Sequence, residues 1–229
     1  MNDFFLFAVL PYIAMGVFFL ATIQRYRQRT FTYSSLSSQF LENKHHFWGS
    51  VPFHYGILFV LALHLAGFLI PSSLLLWNSH PLRLMFLEVT GLAMAIVTLL
   101  GLVNIALRRW NDHRARTVTS PSDWIVYLLV GVQVLSGMGI AVFNSWGSSW
   151  FATSASPWLW SLITLSPDVS YVASLPWIVK VHIINAFLLI GFFPFTRLVH
   201  VLVIPNPYLW RRTQVVIWNY DRRKVRSAD

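Results

Sequence analysis

The sequence predicts an all-α membrane protein in which five helices cross a bilayer. Of its 229 residues, 56% are hydrophobic and only 11% are charged, whereas soluble domains carry about a quarter charged residues. Mean hydropathy is +0.58, and five long apolar runs are separated by polar segments. A soluble core could bury one such run but hardly five. We therefore expect a single integral-membrane domain over residues 1–229.

The apolar runs define the predicted spans, numbered 1 to 5 from the N-terminus. They lie at about residues 4–23, 47–70, 84–107, 124–143 and 176–204, and a tail follows over 205–229. Span 1 has no basic segment ahead of its apolar run, so we expect it to be retained rather than cleaved as a signal peptide. Ser120 and Asp123 are suited to cap the start of span 4. Residues 144–175 contain many Trp and Ser but no Lys or Arg, which predicts an interfacial or partly re-entrant segment.

The basic residues alternate between successive loops. The segments after spans 1, 3 and 5 carry four, four and six Lys or Arg residues, whereas those after spans 2 and 4 carry only Arg83 and Lys180. Because short cytoplasmic loops are enriched in Lys and Arg, this pattern predicts an N-terminus outside and a C-terminus in the cytoplasm. The net charge of +9 is explained by this orientation, so nucleic-acid binding is not expected.

The sequence contains no cysteine. This excludes cysteine-held iron–sulfur clusters, haem attachment through CxxCH and disulfides. A redox centre in this chain would have to be held by His or Met, and an iron–sulfur partner would have to be another polypeptide.

Four histidines lie inside two apolar spans. Span 2 carries His54 and His64, and span 5 carries His182 and His200. Since these spans run in opposite directions, His54 and His200 should lie near the inner face, and His64 and His182 nearer the outer face. Ionisable side chains within spans are rare and usually functional.

Two such pairs, one above the other, are what two haem groups with bis-imidazole ligation require. The porphyrin fills four iron positions and one imidazole from each side fills the others, which suits electron transfer rather than oxygen chemistry. The alternatives are histidines that hydrogen-bond within the bundle, or a haem-free transporter or proton channel that uses them as a relay. The remaining histidines are expected to be solvated in loops or at interfaces: His45, His46, His80 and His113.

The two histidines of span 5 are further apart along the chain than the two histidines of span 2. His182 and His200 are eighteen positions apart, which is about 27 Å along a straight helix and places both on one face of it. His54 and His64 are ten positions apart, which gives about 15 Å. Pro194 can kink span 5 and absorb part of the difference of about 12 Å. Small residues could admit a macrocycle edge or simply pack helices together: Gly56, Ala62, Ala66, Gly67 and Gly191.

Three stretches resemble the gamma subunit of respiratory nitrate reductase, a di-haem cytochrome b membrane anchor. They are TYSSLSSQFLENK after span 1, HYGILFVLALHLAGFLIP in span 2 and FFPFTRLVHVLVIPNPYL at the end of span 5. The resemblance covers nearly the whole chain. It implies two haem b groups, with His54 and His200 as ligands of the inner haem and His64 and His182 as ligands of the outer one.

The resemblance also implies a function in anaerobic nitrate respiration at the cytoplasmic (inner) membrane. Such a subunit oxidises quinol, either menaquinol or ubiquinol, near the outer haem. It then passes electrons through the inner haem to an iron–sulfur beta subunit, and a molybdenum-containing alpha subunit reduces nitrate. The enzyme class implied for this chain is a quinol dehydrogenase subunit. Related di-haem anchors of heterodisulfide- or sulfite-reduction complexes are an alternative.

Two cations are candidates for further roles. The family has a lysine associated with quinol binding between spans 2 and 3, and Arg83 is the nearest cation here, so its role is either quinol contact or an interfacial position. Arg197 precedes His200 by three residues and could pair with a haem propionate, or extend to the inner headgroups instead.

Overall fold

Five long helices make up most of the computed structural model, which describes residues 2–29 and 46–203. Within these residues, five helices are long and apolar enough to cross a membrane, which confirms the predicted number of spans. They cover Phe5–Arg29, Phe47–Leu69, Pro81–Asn111, Pro121–Phe143 and Trp177–Phe195, and we keep the numbers 1 to 5 for them. The motif at 32–44, Lys44, His45 and the tail 205–229 lie outside the described residues.

Local sequence explains where the helices begin and end. Span 4 starts with the predicted capping pair: the Ser120 hydroxyl accepts from the Asp123 amide at 3.3 Å, and the Asp123 carboxylate accepts from the Ser120 amide at 2.9 Å. Pro121 occupies the first turn, where its missing N–H costs nothing. Asp112 ends span 3 and accepts from the Ala115 amide at 2.7 Å. Shorter helices connect the spans, at Pro71–Asn78, His113–Thr117, Gly147–Trp150, Ser156–Ile163 and Ser170–Ala173.

The spans pack in the spatial order 2, 3, 4, 5 and 1. Spans 2 and 3 approach most closely, because glycines remove side chains from their interface. A Cβ at Gly101 would overlap the backbone of Phe53, and one at Gly56 would overlap Thr98. Spans 2 and 5 form no comparable interface among the described residues. The two spans that carry the histidines therefore face each other across a gap.

The same contacts show which helices two of the small residues, Gly56 and Gly191, pack against. Gly56 faces span 3, and a Cβ at Gly191 would lie 3.5 Å from the backbone of Ala14 in span 1. Both glycines thus serve helix packing. A Cβ at Gly67 would meet the ring of Phe151 at 2.9 Å, which brings the segment after span 4 against span 2.

Span 5 is not one helix from 176 to 204, and this corrects the expectation of a continuous helix. Its α-helix ends at Phe192, a 3₁₀ turn covers Phe193–Phe195, and a second 3₁₀ segment covers Arg197–Val203. Thr196 between them is extended, with φ −119° and ψ 177°. Arg25 of span 1 donates to the carbonyls of Pro194 and Thr196 at 2.6 and 2.8 Å. Pro194 thus lies in a break of the helix rather than at a kink.

The tryptophan-rich segment after span 4 folds into short helical pieces against the ends of spans 1, 2 and 3. Trp158 is 1% exposed and donates to the Phe7 carbonyl at 3.0 Å. Trp160 donates to the Phe68 carbonyl at 3.1 Å. Glu88 accepts from the Ser148 amide and hydroxyl at 2.8 and 2.6 Å. We call this end of the bundle the tryptophan end.

The opposite end of the bundle carries the arginines at which spans 1 and 3 finish. They are Arg25, Arg27, Arg29, Arg108 and Arg109. We call it the basic end.

The glycine contact between spans 2 and 3 can be tested by adding one methyl group. Gly101→Ala should destabilise the protein, because its Cβ meets the backbone of Phe53, which a side-chain rotation cannot relieve. Overpacking of this kind costs about 1–3 kcal/mol, so the thermal unfolding midpoint in detergent should fall. Gly16→Ala is the control, since nothing lies within 4 Å of its Cβ. An equal effect of both variants would contradict the close approach.

Candidate functional site

The structure places the four span histidines in two facing pairs. The ring centres of His54 and His200 are 6.2 Å apart, with an angle of 69° between the ring planes. The ring centres of His64 and His182 are also 6.2 Å apart, with an angle of 28°. In each pair one ring comes from span 2 and the other from span 5 or the 3₁₀ segment that follows it. The first pair lies toward the basic end and the second toward the tryptophan end.

Three of these imidazoles are oriented by backbone carbonyls of their own helical turn. The Nδ1 atoms of His54, His64 and His200 lie 2.7, 2.8 and 2.7 Å from the carbonyl oxygens of Ser50, Val60 and Arg197. A carbonyl only accepts, so each Nδ1 carries the proton and each Nε2 keeps its lone pair. A neutral imidazole with a free Nε2 is the form that binds a metal ion.

His182 is oriented from a neighbouring span instead. Its Nδ1 lies 2.9 Å from the Ser136 hydroxyl in span 4. Its Nε2 lies 3.0 Å from the side-chain nitrogen of Gln133, which donates to it. Gln133 is held in turn by Asn185, whose amide donates to the Gln133 oxygen at 2.6 Å. The lone pair of His182 is therefore also on Nε2.

The distance within each pair would fit one six-coordinate iron between two rings whose Nε2 atoms face each other. A metal–imidazole bond of about 2.0–2.1 Å on each side, plus roughly 1.1 Å from nitrogen to ring centre on each side, gives about 6.2–6.4 Å between ring centres. Both observed distances are 6.2 Å. Groups of three or more His, Cys, Asp or Glu side chains suited to a bare metal ion are absent from the described part of the chain. Because two imidazoles fill only two positions of a six-coordinate iron, each pair would suit a group that brings its own four equatorial ligands.

Charged side chains at the basic end lie near the His54–His200 pair. Arg197, whose carbonyl orients His200, forms an ion pair with Asp123 of span 4 at 2.9 Å and donates to the Val118 carbonyl at 2.5 Å. Arg109 is 7% exposed and donates to the Thr119 hydroxyl at 3.0 Å, while its Nε has no hydrogen-bond partner. The structure therefore gives Arg197 a carboxylate partner within the protein.

At the tryptophan end, the ring of Phe151 meets His64 edge to face, with ring centres 5.6 Å apart. Arg83 is exposed, its guanidinium lies 5.5 Å from the centre of the Trp77 ring, and its carbonyl accepts from the Trp77 indole. This places Arg83 in an aromatic surface at the start of span 3.

His80 and His113 are exposed, and the side chain of His46 is not described.

Several residues that contact the histidines or hold their partners were not singled out from the sequence, among them Gln133, Ser136, Phe151 and Asn185. Three of these residues could have been recognised in the sequence by their polarity and spacing. Gln133 and Ser136 are polar residues three apart on one face of an otherwise apolar span, and Asn185 follows His182 by three. Polar side chains at such positions usually bond across to another helix.

Comparison with known proteins decides the family. The family model described as "Nitrate reductase gamma subunit" matches residues 3–219. This chain belongs to the nitrate reductase gamma subunit family. It is 34% identical over 215 residues to the nitrate reductase gamma chain of Bacillus subtilis, covering 92% of this chain and 96% of the relative. It is 30% identical over 222 residues to the respiratory nitrate reductase 2 gamma chain of Escherichia coli, covering 94% and 96%.

Membership in the gamma subunit family agrees with the resemblance seen in the sequence. Together with the five apolar helices, it makes this chain a multi-pass membrane protein. The four histidines of the facing pairs all lie within the matched residues.

The ion pair between Asp123 and Arg197 should stabilise the folded protein. Asp123→Asn keeps an oxygen to cap the Ser120 amide but removes the negative charge that pairs with Arg197. The side chains are 7% and 21% exposed, so the cost should lie between the ~3–5 kcal/mol of a fully buried pair and the ~0–1 kcal/mol of an exposed one.

The matched control is Asp3→Asn, which breaks the more exposed pair with Lys180, at 44% and 24% exposure. Thermal unfolding in detergent should show a larger fall for Asp123→Asn than for Asp3→Asn. The reverse order would show that Asp123 and Arg197 do not stabilise the junction of spans 4 and 5.

Proposed function

We propose that this chain is the di-haem b membrane anchor of a nitrate reductase complex, and that it passes electrons from membrane quinol to partner subunits. The observation that carries the proposal is the pair of facing imidazole sets, each 6.2 Å between ring centres, in a member of the gamma subunit family. Haem iron held by two imidazoles accepts and releases one electron at a time.

The protein's own contribution is to orient four Nε2 lone pairs. In His54, His64 and His200, the Nδ1–H group donates a hydrogen bond to a backbone carbonyl. In His182, it donates to the Ser136 hydroxyl. A hydrogen bond at Nδ1 fixes the tautomer and raises the basicity of the ligand. A haem iron held by two histidines would have no open position for a substrate, which favours electron transfer over oxygen or nitrate chemistry.

The direction proposed for electron transfer rests on the distribution of Lys and Arg between the loops. The basic end is proposed to face the cytoplasm, with the N-terminus outside. Partner subunits would then bind there: an iron–sulfur beta subunit and a molybdenum-containing alpha subunit, on which nitrate is reduced. The absence of cysteine from this chain supports placing the clusters on a partner.

Quinol oxidation is proposed at the tryptophan end, near His64 and His182. Each quinol, either menaquinol or ubiquinol, gives up two electrons and two protons and leaves as quinone. Arg83 on the Trp77 ring is the cation that we propose to contact it. Releasing protons outside while electrons move inward separates charge, and each charge crossing the whole membrane is worth about 2.3 kcal/mol per 100 mV.

A reduced-minus-oxidised optical spectrum of the purified chain tests this function. We expect two b-type haems per chain. His64→Ala and His182→Ala should each remove the same haem, and His54→Ala and His200→Ala should each remove the other, because both rings of a pair are needed to fill the axial positions. A haem-free spectrum would contradict the cytochrome and favour a proton relay.

His80→Ala and His113→Ala are matched controls, since both side chains are exposed and should leave two haems. Loss of the same haem from His64→Ala and His200→Ala would contradict the pairing while leaving the cytochrome itself in place.

A further inference from the structure

Among the four span histidines, His182 differs in how its ring is fixed. The other three donate Nδ1–H to carbonyls of their own chain segment, and no substitution removes a carbonyl. His182 donates across the helix interface to Ser136 at 2.9 Å. A single side chain of span 4 therefore controls the orientation of one ring in the His64–His182 pair.

The direction of this hydrogen bond is set by the serine's own proton. The Ser136 hydroxyl lies 2.6 Å from the Val132 carbonyl and 3.2 Å from the Gln133 carbonyl. Its single O–H donates to one of these carbonyls, and Nδ1 of His182 carries the ring proton because Nε2 accepts from Gln133, so the serine oxygen accepts from His182. Such back-bonding to the carbonyl four residues earlier is usual for serine inside a helix. Ser136 is 8% exposed, so water does not readily replace it.

Gln133 contacts the opposite nitrogen of the same ring. Its amide donates to Nε2 of His182 at 3.0 Å, and its oxygen is held by Asn185, which also donates to the Leu129 carbonyl at 2.9 Å. The Nε2 lone pair accepts either this N–H or a metal bond, but not both. When Nε2 is a ligand, Gln133 has to release it, while the Ser136 bond on Nδ1 persists.

We propose that Ser136 is the positioning residue of the His64–His182 haem: it holds the His182 ring in its ligating tautomer and helps set the midpoint potential of that haem alone. This inference rests on the proposed function and deepens it. An imidazole whose Nδ1–H is hydrogen-bonded is a stronger electron donor, and stronger donation stabilises ferric over ferrous iron. Removing the acceptor raises the midpoint potential of one haem and leaves the His54–His200 haem unchanged.

The experiment is a potentiometric titration of both haems in the purified complex, with an electron paramagnetic resonance spectrum of the oxidised form. Ser136→Ala should shift the midpoint potential of the His64–His182 haem to a more positive value and change the g-values of that haem only. Ser136→Cys, a weaker acceptor of similar size, should give a smaller shift in the same direction. Ser136→Thr keeps the hydroxyl and should restore the original potential and g-values.

Ser156→Ala is the matched control. Ser156 is fully buried and its hydroxyl bonds a backbone carbonyl, that of Phe68, but it does not contact a histidine in the described structure. It should leave both haems as they are. If Ser136→Ala leaves potentials and g-values unchanged, or shifts them no more than Ser156→Ala does, the inference is wrong. Absence of haem from the unaltered protein would instead overturn the proposed function itself.

Discussion

The separation of spans 2 and 5 is the constraint on which the rest of the structure depends. Span 2 is held against span 3 where Gly101 meets the backbone of Phe53, and span 5 packs against spans 1 and 4. These interfaces leave span 2 and span 5 facing each other rather than in contact. Their imidazoles meet at one repeated distance, 6.2 Å between ring centres. Closing this gap by a tighter helix contact would remove the geometry for both pairs at once.

The break in span 5 lies between His182 and His200, the two histidines that this part of the chain contributes to the facing pairs. On a straight helix, His182 and His200 would be about 12 Å further apart than His54 and His64. The chain leaves the α-helix after Phe192 and becomes extended at Thr196 before His200. Arg25 binds the carbonyls freed by this break, so a cation of span 1 stabilises the segment that presents an imidazole to span 2.

The sequence was sufficient for the number of spans, the capping of span 4 and the expectation that His54 would lie beside His200 and His64 beside His182. Apolar length, loop charge and the capping residues Ser120 and Asp123 determine these features, and all of them can be read locally in the sequence. A kink at Pro194 was predicted, but the full break over 193–196 was not, because it is stabilised by Arg25, far away in the chain. Ser136, Gln133 and Phe151 were missed since their roles depend on the rotation of helices about their axes. A haem propionate and the inner headgroups were both considered as partners of Arg197, and the structure pairs its side chain with Asp123.

Each facing pair is proposed to hold one iron through the Nε2 atoms of both rings. The most direct measurement is an experimentally determined structure of the assembled, haem-loaded complex. We expect two macrocycles between spans 2 and 5, one with its iron bonded to Nε2 of His54 and His200 and the other with its iron bonded to Nε2 of His64 and His182. Ligation through Nδ1, an axial ligand from another residue, or a single macrocycle in this chain would contradict it.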